Sequence, residues 1–137
     1  MTPHQIQLVQ STWKQVIPIS GTAATIFYNR LFEIDPQLRG MFSDDLTEQK
    51  RKLMQMIGIA VAGLNDLATI VPAVQALGQR HVSYGVKDEH YAVVGAALLW
   101  TLEAGLGPAF TPEVKNAWSE VYGVLAETMK SAAAKAA

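Results

Sequence analysis

The sequence predicts an all-α protein. Three observations carry that expectation. Apolar residues recur at helical spacing along most of the chain, as in Ile6, Val9, Trp13 and Val16. Three dipeptides, Thr2-Pro3, Asp35-Pro36 and Thr111-Pro112, have the form of helix starts. In each, a side-chain oxygen can cap free N–H groups, and proline in the first turn loses nothing by lacking one. No stretch alternates with period two for long enough to suggest a sheet.

The elements follow in order. The first helix begins after Thr2 and stops at Pro18. A second, from about Gly21, carries Ala24, Phe27, Tyr28, Leu31 and Phe32 on one face. Asp35-Pro36 opens a short helical turn that ends near Met41-Phe42, and Ser43-Asp44-Asp45 reads as a loop. A third helix from about Thr47 places Gln49, Leu53, Met56, Ile57, Ala60 and Leu64 on one stripe. Gly58 and Gly63 lie within it; they lower helix propensity, so close packing is the expected reason for them. The next helix is expected from near Pro72 to just before Gly85. Asp88, with Glu89 in the first turn, is the expected cap of a helix that carries Tyr91, Val94, Leu98, Leu102 and Leu106 and stops at Gly107-Pro108. The last helix carries Val114, Trp118, Val121, Tyr122, Leu125 and Met129. It is expected to fray into an Ala-rich tail from about Ser131. With no repeat and no linker, residues 1–137 read as one domain.

Composition narrows the chemistry. Half of the residues are hydrophobic and 17% are charged, the balance of a globular chain rather than a disordered one. A net charge of −1 gives no electrostatic case for nucleic acid. There is no cysteine, which excludes disulfides, thiolate metal sites and thioether-linked tetrapyrroles and fits a reducing cytoplasm. The N-terminus has no signal-peptide pattern, and the apolar runs read as too short to span a bilayer. A Glu-x-x-His pair for a di-iron bundle, a P-loop and a dinucleotide glycine pattern are all absent from the sequence.

Of the three histidines, His4 and His90 lie in first turns, where exposure or capping is expected. His81 differs. It ends an apolar stripe formed by Val74 and Leu77. A histidine so placed serves either as a hydrogen-bonded core residue or as a metal ligand. A ligand needs its second ring nitrogen fixed by a donated bond, and the carbonyl of Leu77, one turn earlier, is the expected acceptor. Tyr28, Phe42 and Gln49 are candidates for the opposite wall. A histidine facing a tyrosine hydroxyl and a glutamine amide can hold a haem iron and a diatomic gas. Equally, Tyr28 can fill core space and Gln49 can sit exposed at a helix start. Lys50, Arg51 and Lys52 form a solvated face by default; one or two of them, or Arg80 beside His81, can instead reach acidic groups at a ligand's edge.

The order and spacing of several segments are more specific than any one residue. They are Ile26-Phe27-Tyr28-Asn29-Arg30-Leu31-Phe32, Met41-Phe42, Glu48-Gln49-Lys50-Arg51-Lys52-Leu53-Met54, His81-Val82-Ser83-Tyr84-Gly85-Val86, His90-Tyr91, Ala117-Trp118 and Val121-Tyr122-Gly123. With these, the chain from about Gln5 to Met129 resembles single-domain bacterial globins of the flavohaemoglobin lineage, of the Vitreoscilla and Hell's Gate types. The resemblance implies a globin fold of six or seven helices around haem b. It implies His81 as the proximal iron ligand, Phe42 stacked on the haem, and Tyr28, Gln49 and Leu53 in the distal pocket. Oxygen, nitric oxide and carbon monoxide are the implied ligands. Reversible oxygen binding is the implied activity, with conversion of nitric oxide to nitrate when a separate reductase supplies electrons. A gas or redox sensor acting through a partner protein is the alternative. In the family, the tyrosine matched by Tyr91 pairs with a glutamate late in the last helix. Here that position is Ala133. Tyr91 keeps the means to contact His81.

Overall fold

The computed structural model describes residues 1–83 and 86–136, with the side chains of Val82, Ser83, Lys135 and Ala136 left aside. Six α-helices form: α1 (Pro3–Val16), α2 (Ser20–Ile34), α3 (Thr47–Ala62), α4 (Leu67–Ser83), α5 (Asp88–Leu106) and α6 (Pro112–Ala136). Among the described residues there is no strand.

The proline signals act as their chemistry dictates. The Thr2 hydroxyl accepts from the Gln5 N–H, and the Gln5 side chain accepts from the Thr2 N–H, a reciprocal capping box. Asp35 accepts from the Gln37 N–H and starts a 3-10 turn over Pro36–Met41. Thr111 accepts from the Val114 N–H at the start of α6. Pro18 sits in a 3-10 turn, Ile17–Ile19, between α1 and α2. Gly107, at φ 56°, ends α5 in a conformation that favours glycine.

Five expectations are corrected. Gly63 caps α3 from just beyond its end instead of lying within it. Helix α4 starts at Leu67, so Pro72 lies inside it. Pro72 cannot donate to the carbonyl of Ala68, but both residues are exposed, so water can serve that carbonyl. Asp88 is the first helical residue of α5, not its cap. Lys87 is the cap, and its N–H donates to Nδ1 of His90 at 3.0 Å. Helix α6 runs on through the alanine-rich segment to Ala136, as alanine's helix propensity favours. Finally, the helical run Asp88–Ala109 is 22 residues long and, by length and composition, apolar enough to cross a membrane. In this fold it is a core helix that packs on α2 and α6. The break expected at Gly85 lies outside the described residues.

The core has two parts. The larger unites α1, α2, α3, α5 and α6 around Trp13, Phe27, Tyr28, Leu31, Leu98, Leu102 and Trp118. Trp13 and Trp118 meet at 6.0 Å, and the Trp118 indole donates to the buried Thr12 hydroxyl at 2.9 Å. The smaller part, Val74, Tyr91, Ala126 and Met129, lies where α4 and the start of α5 meet α6. Tyr122 and Leu125 pack against both. The most extensive helix pairing is α4 with α6. It depends on Gly78, where a Cβ atom would come within 2.8 Å of the Met129 Cα. On the surface, the Arg30 guanidinium lies 4.0 Å from the ring centroid of the half-exposed Trp100.

Candidate functional site

Tyr28 sits at the centre of an aromatic group. Its ring meets Phe27 edge-on at 5.0 Å, Phe42 at 5.7 Å and Phe32 at 6.1 Å. Helical spacing explains the grouping: Phe27 and Tyr28 are buried on α2, and Phe32, one turn after Tyr28, is partly buried beside them. Phe42 comes from the loop after the 3-10 turn, and Arg39 holds that loop in place. The Arg39 guanidinium donates to the carbonyls of Phe42, Ser43 and Asp44 and lies 5.3 Å from the Phe32 ring centroid.

The Tyr28 side chain is 3% exposed. Its hydroxyl donates to the Gln49 backbone carbonyl at 3.4 Å, a long and therefore weak bond. Burial pushes its pKa up to about 12, against a smaller lowering by the Gln49 side chain. Tyr28 is thus a neutral donor over the physiological range, and its hydroxyl is only loosely engaged. Gln49 itself is exposed near the start of α3, and Leu53, one turn on, packs against the larger core with Phe42.

The second wall is built by α4 and α5. His81, in the last turn of α4, is half-buried, and its Nδ1 lies 3.2 Å from the Tyr91 hydroxyl. The partner shown for this nitrogen is therefore a side chain one helix away. Burial, then the nearby Arg80 charge, lowers the His81 pKa, so the ring is neutral at neutral pH, the form that can bind a metal. Burial, then Asp88, raises the pKa of Tyr91. Leu77 packs beside Tyr91 in the smaller core. Lys52 and Arg80 are exposed. The structure therefore joins Tyr28 and Phe42 in one group, with Gln49 at its edge, and packs Leu53 against the larger core. It joins Leu77, His81 and Tyr91 in another and leaves Lys52 and Arg80 on the surface.

Two contributors are not evident from sequence reasoning. Arg39 braces Phe42, and nothing in the sequence distinguishes it from other surface arginines. Tyr122 donates to the Tyr91 carbonyl at 2.6 Å. Gly95, interior to α5, is the sequence signal for it, because the Tyr122 ring occupies the place of the missing side chain.

These features fit a haem. A neutral, half-buried imidazole is in the form that can donate a ring nitrogen to a metal. Among the described residues no group of three or more His, Asp or Glu side chains could hold a metal ion; a macrocycle would supply the further nitrogens of a metal held at His81. A buried neutral phenol is a suitable donor to a polar gas.

Comparison with known proteins agrees with the fold. Residues 25–129 match the family model for Globin. A flavohemoprotein of Bacillus subtilis is 35% identical over 127 residues; the match covers 89% of this chain and 31% of that protein. The chain thus spans about a third of the length of that relative. A neuroglobin of Tetraodon nigroviridis is 31% identical over 143 residues, covering 94% of this chain and 90% of its own. A bacterial globin of Campylobacter jejuni superposes with a TM-score of 0.87 at 28% identity, covering 98% of this chain and 97% of that one.

Proposed function

This chain belongs to the globin family, and from that premise we propose that it binds oxygen reversibly and turns nitric oxide into nitrate when a separate reductase supplies electrons. Globins and flavohaemoproteins bind haem b, and haem b is the cofactor. When bound, it supplies a ferrous iron that takes diatomic gases and changes oxidation state. The observation that carries the reading is the pairing of Nδ1 of His81 with the Tyr91 hydroxyl.

On this reading His81 would hold the iron through one ring nitrogen, with the Tyr91 hydroxyl engaging Nδ1. Phe42, Leu53 and Leu77 would line the haem, and Lys52 and Arg80 would serve its acidic edge from the surface. Tyr28 would offer its hydroxyl to a gas ligand, and Gln49 would add a second donor through its amide. Preorganised donors of this kind stabilise negative charge that builds on oxygen. Nitric oxide and oxygen together need one electron to form nitrate, so repeated turnover needs a reductant. The B. subtilis relative extends well beyond the part matched here, and we assign electron supply to a partner reductase. A cytoplasmic location belongs to this reading, and the absence of cysteine is compatible with it.

The test is rapid anaerobic mixing of the oxygen-saturated ferrous protein with nitric oxide. Nitrate equal to the haem present, with all iron left ferric, supports the reading. Retention of nitric oxide without nitrate refutes the conversion and leaves gas binding.

A further inference from the structure

Helix α5 has an outer face that the fold leaves open. Of an 18-residue apolar stretch within Asp88–Ala109, only 28% is buried. From Tyr91 to Leu102 the helix carries no charged residue. Ala92, Ala96 and Trp100, four apart and therefore on one side, are all exposed. Glu89 and Glu103 stand seven residues before and after Ala96, on the same stripe, and close it at both ends. The two flanks of the stripe differ. On the α2 flank stands Trp100, 48% exposed and steadied by the Arg30 guanidinium 4.0 Å from its ring centroid. On the α6 flank lies a groove of about 330 Å³ lined by Ala92, Gly95, Ala96, Leu99, Ser119 and Tyr122.

We infer that this face is a homodimer surface, on which two copies pack antiparallel across Ala96 and each seats its Trp100 in the other's α5–α6 groove. The knob lies one turn after Ala96 on one flank, and the groove reaches Ala92, one turn before it, on the other. A two-fold axis through Ala96 exchanges both the ends and the flanks, so each knob meets a groove; a closed dimer needs this self-complementarity. The stripe from Glu89 to Glu103 is about 20 Å long, short of the roughly 30 Å of a bilayer core, and carboxylates at both ends are repelled by anionic lipid. With the adjoining sides of α2 and α6 the footprint is on the order of 600 Å² per copy, near the low end for a specific interface. In this register Glu89 of each copy faces Glu103 of the other. These two like-charge pairs loosen the dimer, to a dissociation constant of roughly 10–500 µM, and salt tightens it by screening them.

The experiment is sedimentation equilibrium of the haem-loaded protein from about 5 µM to about 1 mM chain. Wild type is expected to dimerise reversibly, and more tightly at about 300 mM than at about 20 mM salt. Ala96→Glu and Trp100→Ala change exposed positions and are expected to stay monomeric with an unchanged haem spectrum. Glu89→Lys sets a lysine opposite Glu103 twice over; it is expected to tighten the dimer about tenfold and to reverse the salt dependence. Glu89→Lys/Glu103→Lys restores like-charge pairs and is expected to lose that gain. A wild-type protein that stays monomeric to the top of the range overturns the inference. So does a dimer indifferent to Ala96→Glu and Trp100→Ala, which must form on another face. A double variant as tight as Glu89→Lys overturns the antiparallel register and the inference with it. A monomer that cosediments with phosphatidylglycerol vesicles assigns the face to lipid and overturns the inference as well.

Discussion

At the residue scale, the proposed function concentrates in two side chains of opposite character. Burial lowers the pKa of His81, and its Nδ1 lies 3.2 Å from the Tyr91 hydroxyl. His81→Ala is expected to lose most haem and the native absorption spectrum, with partial recovery on adding imidazole; haem content by pyridine haemochrome checks it. Unchanged content and spectrum count against His81 as sole ligand. Tyr28→Phe deletes a donor but keeps the aromatic contacts with Phe27 and Phe42. A hydrogen bond to a charged group is worth about 1.5–3 kcal/mol, so oxygen dissociation should speed by about tenfold to a hundredfold. Carbon monoxide, less polar when bound, should respond much less; equal changes for both gases would remove the hydrogen bond from the account. The raised pKa of Tyr28 also has a stability consequence. Between the ordinary value of 10.0 and about 12 the unfolded chain ionises while the folded one stays neutral. Stability from this group is therefore complete below pH 10 and is lost as pH rises toward 12, by up to about 3 kcal/mol. Urea midpoints from pH 9 to 12 should fall less steeply in Tyr28→Phe than in wild type.

At the element scale, the crossing of α4 and α6 decides where His81 stands. Gly78 is one turn before His81, and a Cβ there would press on the Met129 backbone. Backbone cannot yield as a side chain can, so Gly78→Ala should cost about 1–3 kcal/mol, read as a lower urea midpoint with unchanged slope. A midpoint at or above wild type would mean that the helices part easily. Much of this scale is legible in the sequence. Thr2, Asp35 and Thr111 announce helix starts through local chemistry, and Gly107 announces a stop. The sequence is silent where the deciding partner is distant. The start of α4 is hidden because Pro72 resembles a first-turn proline, whereas exposure of Ala68 and Pro72 is what lets it sit inside the helix. Asp88 resembles a cap, but the His90 ring takes the Lys87 N–H instead. At the site, apolar spacing singles out His81. The pairing with Tyr91 depends on the approach of α5, which no local pattern encodes.

At the scale of the whole molecule, the proposed function divides gas binding from electron supply. The 137-residue chain carries no glycine-rich dinucleotide pattern. It is expected to oxidise no NADH alone, to convert one nitric oxide per ferrous, oxygen-loaded haem, and to turn over repeatedly once a reductase is added. Sustained NADH-driven turnover by the chain alone would contradict this. The proximal side is also set apart by Ala133. Without a carboxylate there, Tyr91 has Lys130 5.9 Å from its ring centroid, itself paired with the exposed Glu127. Peroxidase activity should be weak, and Ala133→Glu should raise it where the new carboxylate reaches Tyr91.

The stacking of Arg30 on Trp100 gives the molecule two kinds of light emitter. Trp13 and Trp118 are sealed in the core, 6% and 2% exposed, whereas Trp100 is 48% exposed beneath a guanidinium. In the haem-free protein the buried pair should emit toward the blue, shielded from dissolved quenchers, and Trp100 toward the red, where acrylamide reaches it. A single fluorescence spectrum of that form should therefore carry separate signals from the interior and from the outer face of α5, and a quencher titration should divide them without any label.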